Sequence, residues 1–323
     1  MPTDMKKSMA SNRLISISII MLLAFSSMAC GDKAIPVQAD PANYVEPTGT
    51  GSRDNTSVCM EPVASGTETI GNELVTIDIS NSSEGYIMVE YFGDCSKVKL
   101  QITCPNTTTY TYNLSSAAGM EVFPLTKDSG SYKLSVFENI EGTQYSTIFS
   151  EDTEVNIVNQ MGPYLYPNQY VNFTSDSPCV DKAKALATPC NNDLEVVSNI
   201  YNHVINTITY DYQKAETVQS GYLPNPDETL STHTGICLDY ASLMASMLRS
   251  QRIPTHMEVG YAGEVYHAWI STYIEDIGWV NGIIQFDGSS WSLMDPTFAS
   301  SADAKELKKF IGDGSNYSVK YIY

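Results

Sequence analysis

The chain has 323 residues, with 37 Asp and Glu against 18 Lys and Arg and a formal charge of −19 at pH 7. At about 100–200 residues per domain, this length accommodates two domains. A hydrophobic content of 42% is too high for general disorder and too low for a multi-spanning membrane protein. The acidity argues against nucleic acid as a partner, because phosphate binding needs a basic face.

Residues 1–30 read as an export signal. Lys6, Lys7 and Arg13 precede the apolar run from Leu14 to Phe25, which is too short to span a bilayer. Ser27-Met28-Ala29-Cys30 puts small residues ahead of a cysteine and resembles a bacterial lipobox, which implies lipidation of Cys30. Ser27 stands where that pattern prefers Leu, so ordinary cleavage and secretion stay open. An anionic membrane repels a chain this acidic, so the lipid on Cys30 would have to anchor it to the extracellular face of the cell membrane. Residues 31–65, with Pro36, Pro41, Pro47, Gly49 and Gly51 among small polar residues, read as a flexible tether.

Residues 66–160 follow a period of two. Val75, Ile77 and Ile79, then Val98, Leu100, Ile102 and Cys104, then Tyr132, Leu134 and Val136 alternate with polar residues, and turn signals interrupt them at short intervals. This is the pattern of an antiparallel β-sandwich with one wet face per sheet. It holds no cluster of acids, His or Cys, so a spacer or adhesive role is its simplest reading.

Residues 161–323 form a second, α+β domain. After a connector containing Pro163 and Pro167, helical spacing appears over Val180 to Ala187 and Leu194 to Ile208, the latter capped by Asn191 or Asn192. A loop is expected from Tyr210 to Gly235, then an apolar helix from about Ile236 to Ser250. Strands are expected over Met257–Tyr261, Val265–Ile274, Ile283–Phe286 and Trp291–Met294, with Asp287-Gly288 as a hairpin turn.

Besides Cys30 and Cys237, five cysteines remain: Cys59, Cys95, Cys104, Cys179 and Cys190. An odd number cannot all pair within the chain. Cys95 and Cys104 are held apart by a strand, Cys59 could reach either, and Cys179 and Cys190 flank one helical segment. No CxxC or His/Cys ligand spacing suggests a metal, and no cofactor is expected.

The chemistry gathers near Thr234-Gly235-Ile236-Cys237-Leu238-Asp239-Tyr240-Ala241, which puts a cysteine on the first turn of an apolar helix. Free N–H groups and the helix dipole there favour a thiolate. His267, in Tyr266-His267-Ala268-Trp269, can exchange a proton with such a thiol. Asp295, in Met294-Asp295-Pro296-Thr297, can hold the second ring nitrogen. Asp239 and Arg249 are expected on the same helix, bonding framework groups. His203 and His256 read as surface or packing residues.

The run Gly235–Ala241, with Met247-Leu248-Arg249, Ile253-Pro254, Gly260-Tyr261, His267-Ala268-Trp269, Trp279 and Asp295-Pro296-Thr297, resembles the bacterial transglutaminase-like superfamily over about residues 195–300. The resemblance implies a papain-like α+β core with Cys237 as nucleophile, His267 as general acid/base and Asp295 as its orienter. The sandwich is similar to domains that precede such cores in exported bacterial proteins. Ile236 and Leu238 stand where the cross-linking eukaryotic enzymes have Gln and Trp, so glutamine-to-lysine cross-linking is not implied. By analogy the Cys237 N–H is one oxyanion donor, and Gln219, Tyr210 or Tyr222 is a candidate second. Trp269, Trp279 and His233 are candidate site walls. The expected activity is hydrolysis or acyl transfer at a peptide or protein amide at the cell surface. The alternative is a catalytically retired scaffold that binds at that surface.

Overall fold

The computed structural model describes residues 44–275, 278–281, 283–286, 291–294 and 317–323. Residues 1–30, expected to be a signal ending in Cys30, and Asp295 therefore lie outside the described residues. Eight strands open the fold: β1 (Thr69–Gly71), β2 (Val75–Asp78), β3 (Tyr86–Tyr91), β4 (Val98–Thr103), β5 (Thr109–Leu114), β6 (Glu121–Pro124), β7 (Gly130–Glu141) and β8 (Gln144–Val155). They make two four-stranded antiparallel sheets, ordered β1-β2-β3-β6 and β5-β4-β7-β8. The alternating residues point inward as their period requires: Ile77, Val89 and Phe123 of one sheet share a buried core with Leu100, Leu134 and Val136 of the other.

The second domain begins with α1 (Pro178–Ala187) and α2 (Asp193–Thr207). Asn192 caps α2 by accepting the Glu195 N–H at 3.0 Å. The expected loop that follows is more ordered than its composition suggests. It holds β9 (Thr209–Tyr210), α3 (Tyr212–Thr217), α4 (Pro226–Thr232) and β10 (Thr234–Gly235), with β9 and β10 paired in parallel. Two short caps account for the helices: Asp211 accepts from the Lys214 N–H, and Asn225 accepts from Asp227 and Glu228 with Pro226 at the first helical position.

Helix α5 (Cys237–Ser250) is buried from Asp239 to its end. It packs on β11 (Thr255–Ala262) and β12 (Val265–Ile274), central strands of a sheet ordered β13-β12-β11-β16, with β13 at Gly278–Asn281. A separate pair, β14 (Ile283–Phe286) with β15 (Trp291–Met294), precedes β16 (Tyr317–Ile322). None of the described helices is long and apolar enough to cross a membrane.

Tyrosines join the two domains. Tyr170 stacks on Tyr323 at 4.0 Å, both near Tyr112 of the sandwich, and the Tyr110 hydroxyl accepts the Ile322 N–H at 3.2 Å. Such a ring buries a large apolar body and still offers a polar tip, which suits a chain with 21 Tyr against 9 Phe.

The tether expectation needs correction from residue 44 onward. That segment lies against the second domain: Val58 N–H donates to the Ser250 carbonyl at 2.9 Å, and Arg53 bonds Asp193 at 2.5 Å and the Gln251 carbonyl at 2.6 Å. Backbone and charge pairing hold it, so the absence of an apolar period gave no sign of its docking. The cysteine pairings are not formed either. All six described cysteines are free thiols, and Cys190 donates to the Leu186 carbonyl at 3.4 Å. Burial pushes Cys59, Cys104, Cys179 and Cys190 upward, which keeps them protonated.

Arg249 closes the second domain. Fully buried, its guanidinium donates to the carbonyls of Thr255 (3.1 and 2.8 Å), Tyr166 (2.7 Å) and Tyr323 (2.7 Å). Burial lowers its pKa to about 9, so it remains a cation at neutral pH. Arg249→Met strands three buried acceptors, and urea unfolding is expected to show a loss of about 3 kcal/mol or more.

His203 supplies a pH dependence. Burial and the Lys182 charge lower its pKa from 6.5 to about 4, despite Glu46 Oε1 at 3.3 Å. The unfolded chain therefore takes the proton more readily. Stability is full above pH 6.5 and declines as pH falls toward 4. Between about pH 7 and pH 5 the loss from this group is about 2 kcal/mol, and unfolding of His203→Gln should lack that component.

Candidate active site

Cys237 is the first residue of α5, half-buried, and packed at the margin of the core. The turn that presents it is built around Asp239, which is 0% exposed. One carboxylate oxygen accepts the Ile236 N–H at 2.9 Å and the Lys214 ammonium at 2.8 Å, and the other accepts the Tyr222 hydroxyl at 2.6 Å. Lys214 also donates to the Tyr222 oxygen at 2.7 Å. Thus α3 and the loop after it brace the start of α5. Gly235 is needed for close approach: a Cβ there would sit 2.7 Å from the Asp239 Cβ. The expectation that Asp239 and Arg249 serve the framework of one helix matches their contacts.

His267 lies on β12, one of the strands α5 packs against, and is buried at 6% exposure. Its ring is roughly parallel to that of Trp269, with centroids 6.4 Å apart, and Trp269 meets Tyr317 edge-on at 4.8 Å. Strand alternation sends Tyr266, Ala268 and Ile270 to the face that shares the core with α5, and His267 and Trp269 to the other. This register places His267 on the side of β12 away from α5. Gly260 lies opposite His267 and Glu258 opposite Trp269, so buried Glu258 shares the face of His267. Asp295 lies outside the described residues.

Tyr266 was not singled out by the sequence. Burial, then Tyr321, Tyr170, Tyr261 and the Cys237 sulfur, raise its phenol pKa, so it is a protonated hydroxyl within electrostatic reach of the nucleophile candidate. Its position immediately before His267 was the signal that could have found it.

The other candidates have separate contacts. Tyr222 is not held as a spare oxyanion donor, because its proton goes to Asp239 and Lys214 occupies its oxygen. Gln219 donates its amide to the nearby Thr217 carbonyl at 2.8 Å. Tyr210 packs edge-on against Tyr212 at 4.9 Å and near Tyr240. His233 is an exposed helix cap with φ 56°, and its carbonyl accepts the Thr209 N–H, so it is a chain-turning residue and not a wall. Trp279 stacks on His256 at 3.6 Å and meets Tyr164 edge-on, in a cluster facing the sandwich.

Residues 180–282 match the family model described as the transglutaminase-like superfamily. UPF0252 protein MJ1282 of Methanocaldococcus jannaschii is 27% identical over 194 residues, covering 56% of this chain and 55% of that protein. The chain thus spans about half the length of this curated relative. A candidate cysteine protease from Cytophaga hutchinsonii overlaps 73% of this chain and 72% of its own, with 16% identity and a TM-score of 0.32. Red sea bream transglutaminase overlaps 66% of this chain and 48% of its own, with 12% identity and a TM-score of 0.24. These two superpositions are too loose to argue from. The family match over residues 180–282 takes in both Cys237 and His267.

Proposed function

We propose that the protein is an exported thiol enzyme acting on peptide or side-chain amides at the cell surface, tethered by lipid on Cys30. The observation that carries the reading is a half-exposed cysteine at the first position of a buried helix, in a transglutaminase-like domain, with that helix on the strand that bears His267. The Cys237 thiolate attacks the amide carbonyl to form a tetrahedral oxyanion. The C–N bond then breaks, the departing nitrogen takes its proton from the His267 imidazolium, and a thioester remains. Water attacks the thioester in hydrolysis, or a second amine in transfer, and His267 accepts the proton released. Asp295 would hold the ring of His267. The Cys237 N–H is one oxyanion donor.

Asp239 presents this reading with an electrostatic problem, since an anion two residues from the nucleophile opposes a thiolate. Lys214 offsets it at 2.8 Å, and the positive end of the α5 dipole acts in the same direction.

Iodoacetamide labelling at mildly acidic pH should modify wild type and spare Cys237→Ala. Equal labelling of the two would sink the activated thiol. Lys214→Met should slow Cys237 labelling at a fixed, mildly acidic pH by about threefold or more. Lys182→Met, whose partner is Glu46, should leave that rate unchanged. A fluorescent amine offered with a general protein substrate separates the two outcomes: its incorporation means transfer, and ammonia or peptide release without incorporation means hydrolysis.

A further inference from the structure

Residues 44–58 cross the surface of the second domain, and the two ends of that run are held differently. From Gly51 onward backbone bonds fix it: Gly51 N–H donates to the Thr188 carbonyl at 2.8 Å, and Arg53 N–H donates to the Cys190 carbonyl at 3.1 Å. Ahead of Gly51 two side chains dock it. Glu46 accepts from the Lys182 ammonium of α1 at 2.9 Å, and the Tyr44 ring lies 5.9 Å from the His203 ring of α2. Between these two parts Gly49 takes φ 113°, a backbone that other residues rarely adopt, with open space around it. It can serve as a hinge.

The seat of this arm is poorly served. His203 is 3% exposed, yet both of its ring nitrogens are buried without a hydrogen-bond partner, as is the Tyr44 hydroxyl. Glu46 Oε1 comes within 3.3 Å of Nδ1 without making that bond. Buried polar atoms left unserved are costly and rare. Swinging the arm of residues 44–50 away would give all three atoms water.

The charges around the ring set the direction of the response. Burial opposes a proton on His203 most, Lys182 of α1 and His233 at the end of α4 add to it, and Glu46 of the arm pulls the other way. With the arm closed the ring resists protonation down to about pH 4, against 6.5 in water. Tyr44, raised to about 12 by burial, stays a neutral phenol throughout. The open form therefore takes the proton more readily, and acid favours opening. We propose that residues 44–50 are an acid-released arm, latched at neutral pH by its seat over the uncharged His203 ring and freed as that ring takes a proton. Release frees a stretch of about 24 Å when extended. In the anchored reading that slack lies between the lipid on Cys30 and the enzyme, but the release itself does not depend on an anchor.

The test uses the full chain with histidine rings isotopically labelled and titrated by NMR. Tyr44→Ala should move the His203 midpoint from well below 6.5 up toward that value, because it removes the ring that keeps water out. Opening is read separately as thermolysin cleavage of the Tyr44–Val45 bond. Wild type and His203→Gln are compared at each pH, so that the protease's own pH dependence cancels. The ratio of wild-type to variant cleavage should rise about thirtyfold between pH 7.5 and pH 5. The proposal is overturned if Tyr44→Ala leaves the His203 midpoint in place or if the cleavage ratio is the same at both pH values. It is also overturned if the amides of β7 lose exchange protection together with the arm, since opening would then be global.

Discussion

The candidate site depends on a single buried carboxylate. Asp239 has no exposure to solvent, and its charge is held by one ammonium, one phenol and one backbone N–H. A charge in that position is costly unless every lone pair is served. The requirement fixes the geometry of three pieces of chain: α3 must bring Lys214, the following loop must bring Tyr222, and the start of α5 must bring Ile236. Cys237 follows Ile236 directly, so its position is set by the same network.

Much of this was legible, and the reasons differ by element. Helix α5 and strand β12 were visible because burial on nearly every side leaves long apolar runs, and the sandwich was visible because each strand has one wet face. Short helices were not visible. In α3 and α4 the stabilisation lies in caps at Asp211 and Asn225, signals of one residue each in a stretch that Pro and Gly make look like loop. The segment from residue 44 was hidden for a related reason, since Arg53 and the backbone dock it without any repeating apolar pattern. The oxyanion candidates were drawn from a loop near the nucleophile in sequence. In space Tyr222 serves Asp239.

The two domains are coupled more closely than their sequence textures suggest. Arg249 reaches from the end of α5 to the connector at Tyr166 and to the C-terminal Tyr323. The tyrosines of β5 pack on the same terminus. The sheet of the second domain thus has two different faces. Ala268 and Ile270 belong to the core shared with α5, while His256 and Trp279 face the sandwich.

The central claim is that Cys237 and His267 share a proton as a thiolate–imidazolium pair. Ultraviolet thiolate absorbance of the intact protein, followed against pH, tests it most directly when Cys237→Ser is subtracted and His267→Asn is run alongside. The account predicts a thiolate absorbance at mildly acidic pH that Cys237→Ser removes and that His267→Asn diminishes. Coincident titrations of wild type and His267→Asn would contradict it.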